Sequence, residues 1–172
     1  MNTPVNRTTR FVEYLFRHSP QDNALAARLR RGDNPATEYQ CWDTLAAFGV
    51  NLEHEPERLA FALIAAAVAR SKQSANGELK IGQAIARAFD EGSKSSQAEA
   101  RLRRLLACQD SEEVCRILRP LLRLLQSRVM QPIDYAALLT DLVKFHSAAA
   151  RIKASWAQQF YSKLDQESQE VV

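Results

Sequence analysis

Residues 111–129 read SEEVCRILRPLLRLLQSRV, and the spacing of apolar and basic side chains in this stretch decides the fold. At ~100° per residue, the apolar side chains from Val114 to Leu125 cover one face of a helix. Three arginines fall on the opposite side at spacings i, i+3 and i+7, namely Arg116, Arg119 and Arg123. Because Pro120 lies inside the pattern, either the helix kinks there or a new helix begins. The stretch predicts an amphipathic helix with a row of cations on its exposed face.

The preceding segment, 97–109, repeats this arrangement. Its apolar side chains share one face, whereas Arg103 and Arg104 point away from that face. Few acids interrupt the seven arginines of residues 101–128, and these acids cluster where a helix N-terminus favours negative charge, at Asp110, Glu112 and Glu113. A row of cations on packed helices attracts polyanions, of which nucleic-acid phosphate is the commonest. The alternative interpretation is a solvated charged face that keeps the protein soluble.

The charge of the chain is distributed unevenly. The whole sequence has 23 Lys+Arg and 20 Asp+Glu, a net charge of +3. Residues 1–57 carry 6 basic and 8 acidic side chains, whereas residues 58–163 carry 17 and 9. The end of the chain adds three acids and no base, so residues 165–172 are interpreted as a solvated acidic tail. The positive charge therefore belongs to the middle and C-terminal helices.

Helices are predicted almost throughout the chain. Only five glycines occur, alternating β-branched segments are absent, and helix-favouring residues dominate. Capping patterns mark helix starts at Ser96-x-x-Glu99, Asp110-x-x-Glu113, Pro56 and Asp134. The expected helices lie near 7–18, 22–31, 36–48, 56–71, 80–90, 97–109, 111–129, 134–147 and 149–164. The predicted fold class is all-α, a compact bundle of about eight to nine helices.

The chain has the length of one ordinary domain. Its 172 residues are 46% hydrophobic, which is enough for a real core. We expect a single helical domain over residues 1–172, or two packed subdomains at 7–90 and 97–164. Helix 56–71 is apolar nearly all round, which predicts the central buried element.

No pattern typical of an enzyme occurs. The sequence lacks the phosphate-loop, dinucleotide-binding, nucleophile-elbow and zinc-protease motifs. His18, His54 and His146 have no Cys, Asp or His at ligand spacing, and His146 shares a predicted helix face with apolar residues. That position predicts a hydrogen-bonded core histidine. We expect no catalytic residue, no cofactor and no metal site.

The cysteines and the last aromatic stripe are interpreted as core. Three cysteines without a CxxC pair support neither a disulfide framework nor a zinc site. Two of them lie on or beside apolar faces and are expected to be buried free thiols, Cys108 and Cys115. An apolar stripe at helical spacing could stack bases but is interpreted as core, namely Ile152, Trp156 and Phe160.

No export or membrane segment is expected. Residues 1–10 lack the apolar region of a signal peptide. The longest apolar run, 59–69, is too short to span a bilayer. These features predict a soluble cytoplasmic protein.

Six short helical motifs follow one another along the chain. They read ARLRRG at 27–32, KIGQAIAR at 80–87, AEARLRRLL at 98–106, LRPLLRLL at 118–125, PIDYAALL at 132–139 and WA at 156–157. In this order they resemble the CasB family, the small subunit of the type I-E CRISPR Cascade complex. The resemblance covers about residues 24–161, whereas residues 1–23 and the acidic tail show no distinctive match.

The resemblance implies an all-α subunit without catalytic activity, assembled as a head-to-tail homodimer inside an RNA-guided complex. Its partners there would be the large subunit and the crRNA-binding backbone subunits. Its basic surface would hold the displaced non-target strand and stabilise the R-loop. Matched residue by residue, the nucleic-acid-binding candidates are Arg30, Arg31, Arg101, Arg103, Arg104, Arg116, Arg119, Arg123 and Lys144.

Two features of the sequence limit this set of candidates. Arg28 is a weaker candidate because its helical angle places it nearer Leu25 and Leu29. The chain departs from the family before Trp156, where only Lys153 and the more distant Arg151 are charged. A nucleic-acid contact by that last helix is therefore not among the candidates.

Two other functions fit a small, basic, helical chain. A helix-turn-helix regulator needs polar base-reading residues at the start of its recognition helix, whereas Asp110–Glu113 places acid at the start of the most basic helix. A scaffold subunit that binds only proteins would use apolar faces. Such a scaffold would show no salt-sensitive affinity for oligonucleotides.

Overall fold

The chain folds into eight α-helices in the computed structural model, which describes residues 6–162. Their bounds are α1 Arg7–His18, α2 Asn23–Arg30, α3 Trp42–Ala47, α4 Glu55–Arg70, α5 Ile81–Arg87, α6 Ser96–Leu106, α7 Ser111–Arg128 and α8 Tyr135–Tyr161. Short 3₁₀ helices occupy Ser19–Gln21, Glu38–Cys41 and Gly92–Lys94. Within residues 6–162 no β-strand forms, and β-pairing is limited to one isolated bridge between Leu79 and Ile133. The all-α prediction is confirmed.

Side-chain caps fix several helix starts. The Asp110 carboxylate accepts from the backbone N–H of Glu113 at 2.8 Å, which satisfies one of the free donors at the start of α7. Asp134 caps α8 in the same way through Ala137 at 2.9 Å. Both caps were predicted. At α6 the prediction was one residue late, because Ser95 rather than Ser96 is the N-cap.

Two predicted helices end three residues earlier in the structure, namely 80–90 at Arg87 and 97–109 at Leu106, and a third begins later. The expected helix 36–48 begins as the 3₁₀ turn Glu38–Cys41, whose i, i+3 geometry brings the buried residues Glu38 and Cys41 to one side before α3 begins. The helices expected at 134–147 and 149–164 correspond to the two parts of α8. They meet at Ala148, the one non-helical residue of α8, with φ −137° and ψ 28°, so the predicted interruption at residue 148 is confirmed as a kink. Residues 163–164 of that expectation lie outside the described residues.

Helix α7 continues through Pro120 without a break. Pro120 is exposed, so the backbone hydrogen bond that it cannot donate is lost on the solvent side of the helix. The arginines before and after Pro120 therefore belong to one element.

Helix α4 is the central buried element, as predicted. Residues 60–69 are all buried, and α1, α2, α7 and α8 pack around them. Burial of a helix on all sides agrees with its uniformly apolar sequence. The aromatic stripe of α8 also enters the core, because Ile152, Trp156 and Phe160 are at most 1% exposed.

Small residues allow close packing elsewhere. Gly82 of α5 lies directly on α8, where an added Cβ would come within 2.2 Å of the Trp156 carbonyl oxygen.

The three cysteines are free and buried, which confirms the expectation for Cys108 and Cys115. Among residues 6–162, no helix has the length and apolar character needed to cross a membrane.

The expectation for His146 was wrong. Its side chain is exposed, and its ring meets that of His54 edge-on at 5.6 Å. The buried stripe of α8 passes instead through Leu142 and Phe145, just before the kink at Ala148. Because only Ala148 is non-helical, His146 keeps its helical angle, and its exposure shows that the buried face of α8 does not extend to this position.

Candidate nucleic-acid interface

Helices α6 and α7 pack together and carry six of the nine candidate residues. Arg101 and Arg104 of α6 are exposed and line a narrow cleft whose other wall is α7, at Ile117, Pro120 and Leu121. Pro120 is exposed, and Arg116 and Arg123 hold the i−4 and i+3 positions, within ~60° of it around the helix, so they lie on the side of α7 that faces this cleft. The arginines of the two helices therefore meet along one surface.

The C-terminal end of α2 joins this surface. Arg30 and Arg31 are exposed there, and Asp33 in the following loop approaches Arg123 of α7 at 3.4 Å between Oδ2 and a guanidinium nitrogen. The Arg31 guanidinium donates to the Gln40 side-chain oxygen at 2.6 Å, which fixes its direction. We use the term basic surface for the eight arginines on α2, α6 and α7, namely Arg30, Arg31, Arg101, Arg103, Arg104, Arg116, Arg119 and Arg123.

A buried carboxylate organises one part of the basic surface. The Asp33 side chain is only 4% exposed and pairs with both Arg70 and Arg123. Arg70 contacts both carboxylate oxygens, at 2.5 and 3.1 Å, and also donates to the Arg30 carbonyl. One acid thus connects the ends of α2 and α4 with the middle of α7. Sequence analysis missed Arg70 and Asp33, because their contact joins residues far apart in the chain and no local pattern marks it.

Carboxylates lie close to some of the arginines that the sequence pattern indicated to be free of acidic neighbours. Arg103 pairs with Glu99 at 2.9 Å, and Arg116 lies 3.9 Å from Glu113. These two pairs are exposed, so each contributes little net stabilisation and leaves the arginine available to a competing phosphate. Arg101 and Arg104 have neither an ion pair nor a side-chain hydrogen bond within the described residues, whereas the exposed Arg30 and Arg31, also without an ion pair, donate to the Ala69 carbonyl and the Gln40 side chain. Arg101 and Arg104 therefore provide the freest positive charge of the basic surface.

A cavity of about 280 Å³ adjoins the arginines of α7. Arg116 and Arg119 line it together with Arg58, and four carboxylates contribute the opposite charge, at Asp33, Glu38, Glu55 and Glu112. The Nε atom of Arg119 is buried and has no hydrogen-bond partner among residues 6–162. Arg119 is half-buried, unlike the seven other arginines of the basic surface.

The Cys115 thiol beside this cavity contributes no charge. Burial raises its pKa to about 12, and the nearby Arg119 lowers it only in part. The thiol therefore stays protonated at neutral pH and is a weak nucleophile.

The ninth candidate, Lys144, is exposed on α8, four residues before the kink at Ala148. Its ammonium group makes no hydrogen bond or ion pair in the described part of the chain. The weaker candidate Arg28 is half-buried, with a buried Nε that has no partner within 6–162.

Other concave regions do not involve the candidates. A cavity of about 860 Å³ lies between residues 71–79 and 129–133, and none of the nine candidates lines it. Within residues 6–162, no cluster of three or more His, Cys, Asp or Glu side chains is arranged to hold a metal ion.

Comparison with known proteins gives one family and several similar structures. The model of the family described as CRISPR-associated protein Cse2 matches residues 25–161. No curated protein matches the sequence significantly. The crystal structure of M. ruber CasB is 26% identical over 98% of this chain and 99% of that chain, with a TM-score of 0.79.

Two further solved structures are similar to this chain over most of its length. A chain of a CRISPR RNA-guided surveillance complex is 25% identical over 96% of this chain and 98% of its own length, with a TM-score of 0.76. CasB from Thermus thermophilus is 27% identical over 94% of this chain and 99% of its own length, with a TM-score of 0.67. Since the family match spans most of the sequence, the chain belongs to the CRISPR-associated Cse2 family.

Proposed function

We propose that this chain is the non-catalytic small subunit of a type I-E CRISPR surveillance complex in the cytoplasm. Family membership supports this role, as does the likeness to a chain of an RNA-guided surveillance complex along almost the whole length of both. In this role its partners are the large subunit and the crRNA-binding backbone subunits, and two copies associate head to tail.

The basic surface holds the displaced non-target DNA strand of the R-loop. The observation that carries this proposal is the convergence of eight arginines from α2, α6 and α7, seven of them exposed. Arg101 and Arg104 are unpaired within the described residues and border α7 directly. Guanidinium groups bind phosphate through planar, paired donors, which suits a surface that follows a phosphate backbone.

The chemistry of an R-loop explains why such a surface is sufficient. The RNA–DNA duplex that forms is about as stable as the DNA duplex that it replaces, so modest contacts to the freed strand decide the balance. The freed strand differs with every target. Contacts to phosphate suit this task because they carry no sequence preference.

Oligonucleotide binding by the isolated full-length protein tests the proposal. We expect weak affinity for single-stranded DNA, without sequence preference and with a strong salt dependence. Each phosphate that the protein neutralises adds about −0.7 to the slope of log K against log salt. Replacing Arg101 and Arg104 by Ala should weaken binding and make the slope shallower by about 0.7 for each phosphate that is no longer neutralised.

The matched control replaces Arg10 and Arg17 by Ala. Both are exposed arginines on α1, which packs on α4 and α8, so the variant removes the same net charge from another face. If both double variants bind equally weakly, net charge alone attracts the DNA and the assigned surface is wrong. Salt-insensitive binding by the parent would favour a scaffold subunit, and preference for one duplex sequence would favour a helix-turn-helix regulator.

A further inference from the structure

Tyr39 is an exposed aromatic residue whose side chain does not take part in the core. Its relative exposure is 60%, whereas most large apolar side chains of the described residues are buried. Tyr161, the other exposed aromatic of residues 6–162, is 38% exposed, donates to Glu99 at 3.1 Å and packs on Phe160. For Tyr39, no hydrogen bond of the hydroxyl and no ring partner is found in the part of the chain that the structure describes. The ring therefore contributes little to the core.

The backbone that carries Tyr39 is held rigidly. Tyr39 lies in the 3₁₀ turn Glu38–Cys41, and the residues around it are anchored. Glu38 is buried and pairs with Arg58 at 3.2 Å, and Cys41 is fully buried. Gln40 holds the Arg31 guanidinium at 2.6 Å. A ring presented in this way loses little conformational entropy when a ligand stacks on it.

Tyr39 lies beside one arginine of the basic surface and near a cavity of mixed charge. Its neighbour Gln40 contacts Arg31, and its neighbour Glu38 lines the cavity that holds both arginines and carboxylates. The negative charge of Glu38 is already compensated by Arg58. An exposed aromatic ring next to a guanidinium group is a combination with which proteins bind single-stranded nucleic acid, since the cation contacts a phosphate and the ring contacts a base.

We propose that Tyr39 stacks on a base of the single strand bound at the basic surface. The inference rests on the proposed function and adds an interaction that phosphate-binding arginines alone do not provide. Every base has a π-face, so stacking on Tyr39 tolerates any sequence, as the displaced strand requires. The ring also limits sliding of the strand, because a stacked base must leave the ring before the strand can advance.

Substitution of Tyr39, combined with a strand that lacks bases, tests the stacking interaction. Tyr39→Ala should weaken binding of the full-length protein to a mixed-sequence DNA oligonucleotide by roughly 5- to 150-fold, the equivalent of about 1–3 kcal/mol. Tyr39→Phe should bind like the parent, because the ring rather than the hydroxyl makes the interaction. With an abasic oligonucleotide of the same length, the parent and Tyr39→Ala should bind equally.

Two further measurements sharpen the test. The salt slope of Tyr39→Ala should equal that of the parent, since the number of neutralised phosphates is unchanged. Met130→Ala is the control, because Met130 is 95% exposed and lines the separate cavity between residues 71–79 and 129–133. This variant should bind both oligonucleotides like the parent. The urea midpoints of all variants should match that of the parent, because both side chains are exposed.

The outcomes separate this inference from the proposed function. If the parent binds with a salt dependence that requires Arg101 and Arg104, but Tyr39→Ala binds equally well, the stacking proposal is wrong and the proposed function stands. If Tyr39→Ala weakens binding to the abasic strand as well, the ring acts through the fold and stacking is again excluded. If the variant binds DNA normally but fails to enter the assembled complex, Tyr39 is a protein-contact residue instead. If the parent shows no salt-dependent binding, both proposals fail.

Discussion

Asp33 is a buried carboxylate that positions arginine side chains of the basic surface. Its carboxylate is shared by Arg70 and Arg123, so the local charge remains positive while both guanidinium groups are held in place. A charged hydrogen bond to a partly buried group contributes about 1.5–3 kcal/mol. Such an interaction positions the arginines and stabilises the junction of α2, α4 and α7.

Replacing Asp33 by Ala should therefore destabilise the protein. We expect a decrease of about 2 kcal/mol in the free energy of unfolding, because the half-buried Arg70 loses its carboxylate partner and keeps only the Arg30 carbonyl as an acceptor. Urea denaturation measures this decrease as a lower midpoint at unchanged m-value. Asp43→Ala removes an exposed acid from α3 and should change stability by less than about 0.5 kcal/mol. Equal midpoints for the two variants would show that Asp33 holds nothing in place.

Exposure of the arginines followed from the sequence, but their partners did not. Helical angles correctly separated Arg116 and Arg123 from the leucines of α7, because the helix is regular on both sides of Pro120. Arg119 also falls outside the leucine face, yet it is half-buried against the cavity next to Glu38. That burial depends on a loop about 80 residues earlier in the chain, which helical periodicity does not describe.

The packing of α5 on α8 depends on the absence of a side chain at Gly82. In an open helix, Gly→Ala would stabilise by up to about 1 kcal/mol. Here the new Cβ would lie 2.2 Å from the Trp156 carbonyl oxygen and 2.6 Å from the Gln159 Cβ. We therefore expect Gly82→Ala to destabilise the protein by about 1–3 kcal/mol, the usual cost of overpacking.

Urea denaturation of Gly82→Ala shows whether the substitution stabilises or destabilises the protein. Gln97→Ala, at an exposed position in α6, is the reference for a helix substitution without a packing change. A midpoint for Gly82→Ala above that of the parent would mean that α5 and α8 do not pack as closely as described.

The start of α8 should make stability depend on pH. Burial opposes ionisation of Asp134, but hydrogen bonds from Lys80, the Ala137 N–H and Asn76 outweigh it and lower its pKa below the ordinary 3.8. A lowered folded-state pKa stabilises the fold above the unfolded-state value, and this stabilisation is lost as pH falls through the folded-state value. The advantage of the parent over Asp134→Asn should therefore be full at pH 7 and shrink below about pH 4.

Asp141 provides a control, because its pKa is shifted in the opposite direction to that of Asp134. Burial raises its pKa, and the hydrogen bond from the Trp156 indole lowers it only in part. The ionised form is thus disfavoured in the folded state, and relative to Asp141→Asn the parent should gain stability as the pH falls toward 4. Free energies of unfolding at pH 7, 5 and 3.5 test both trends. Parallel curves for the two Asn variants would contradict the assigned shifts.

Elements with strong periodicity were predictable, and irregular ones were not. The all-apolar run of α4 and the capped, amphipathic α7 determine their own structure locally. The segment 36–48 was predicted as one helix, but burial of Glu38 and Cys41 against other elements imposes a 3₁₀ turn first. The interruption of α8 was predicted at the correct residue, Ala148, where the structure shows a kink. The division into subdomains 7–90 and 97–164 stays a prediction.

At the scale of the whole molecule, the net charge understates the field near α6 and α7. The sequence has a net charge of only +3, yet eight arginines lie on neighbouring parts of α2, α6 and α7. Carboxylates of the same helix pair with Arg103 and Arg116, and Asp33 pairs with Arg123. Among the exposed arginines of the basic surface, only Arg101 and Arg104 have neither an ion pair nor a side-chain hydrogen bond within the described residues. The potential of an exposed charge is screened beyond a Debye length of ~8 Å at physiological salt. The DNA binding that we propose would therefore depend on this local concentration of charge and not on the net charge.

In an assembled surveillance complex, the α6 arginines should therefore affect only the last stage of target binding. The variant with Arg101 and Arg104 replaced by Ala keeps its apolar faces, so we expect it to fold and to enter the complex like the parent. Guide loading and initial duplex recognition should be unchanged, because the proposal gives Arg101 and Arg104 a contact only with the displaced strand. The displaced strand should react more readily with a single-strand-specific chemical probe, and the target should dissociate faster, whereas Arg10→Ala with Arg17→Ala should match the parent. A variant that fails to enter the complex would place Arg101 and Arg104 at a subunit interface. A variant that enters and protects the strand as well as the parent would place the DNA-binding surface on another face.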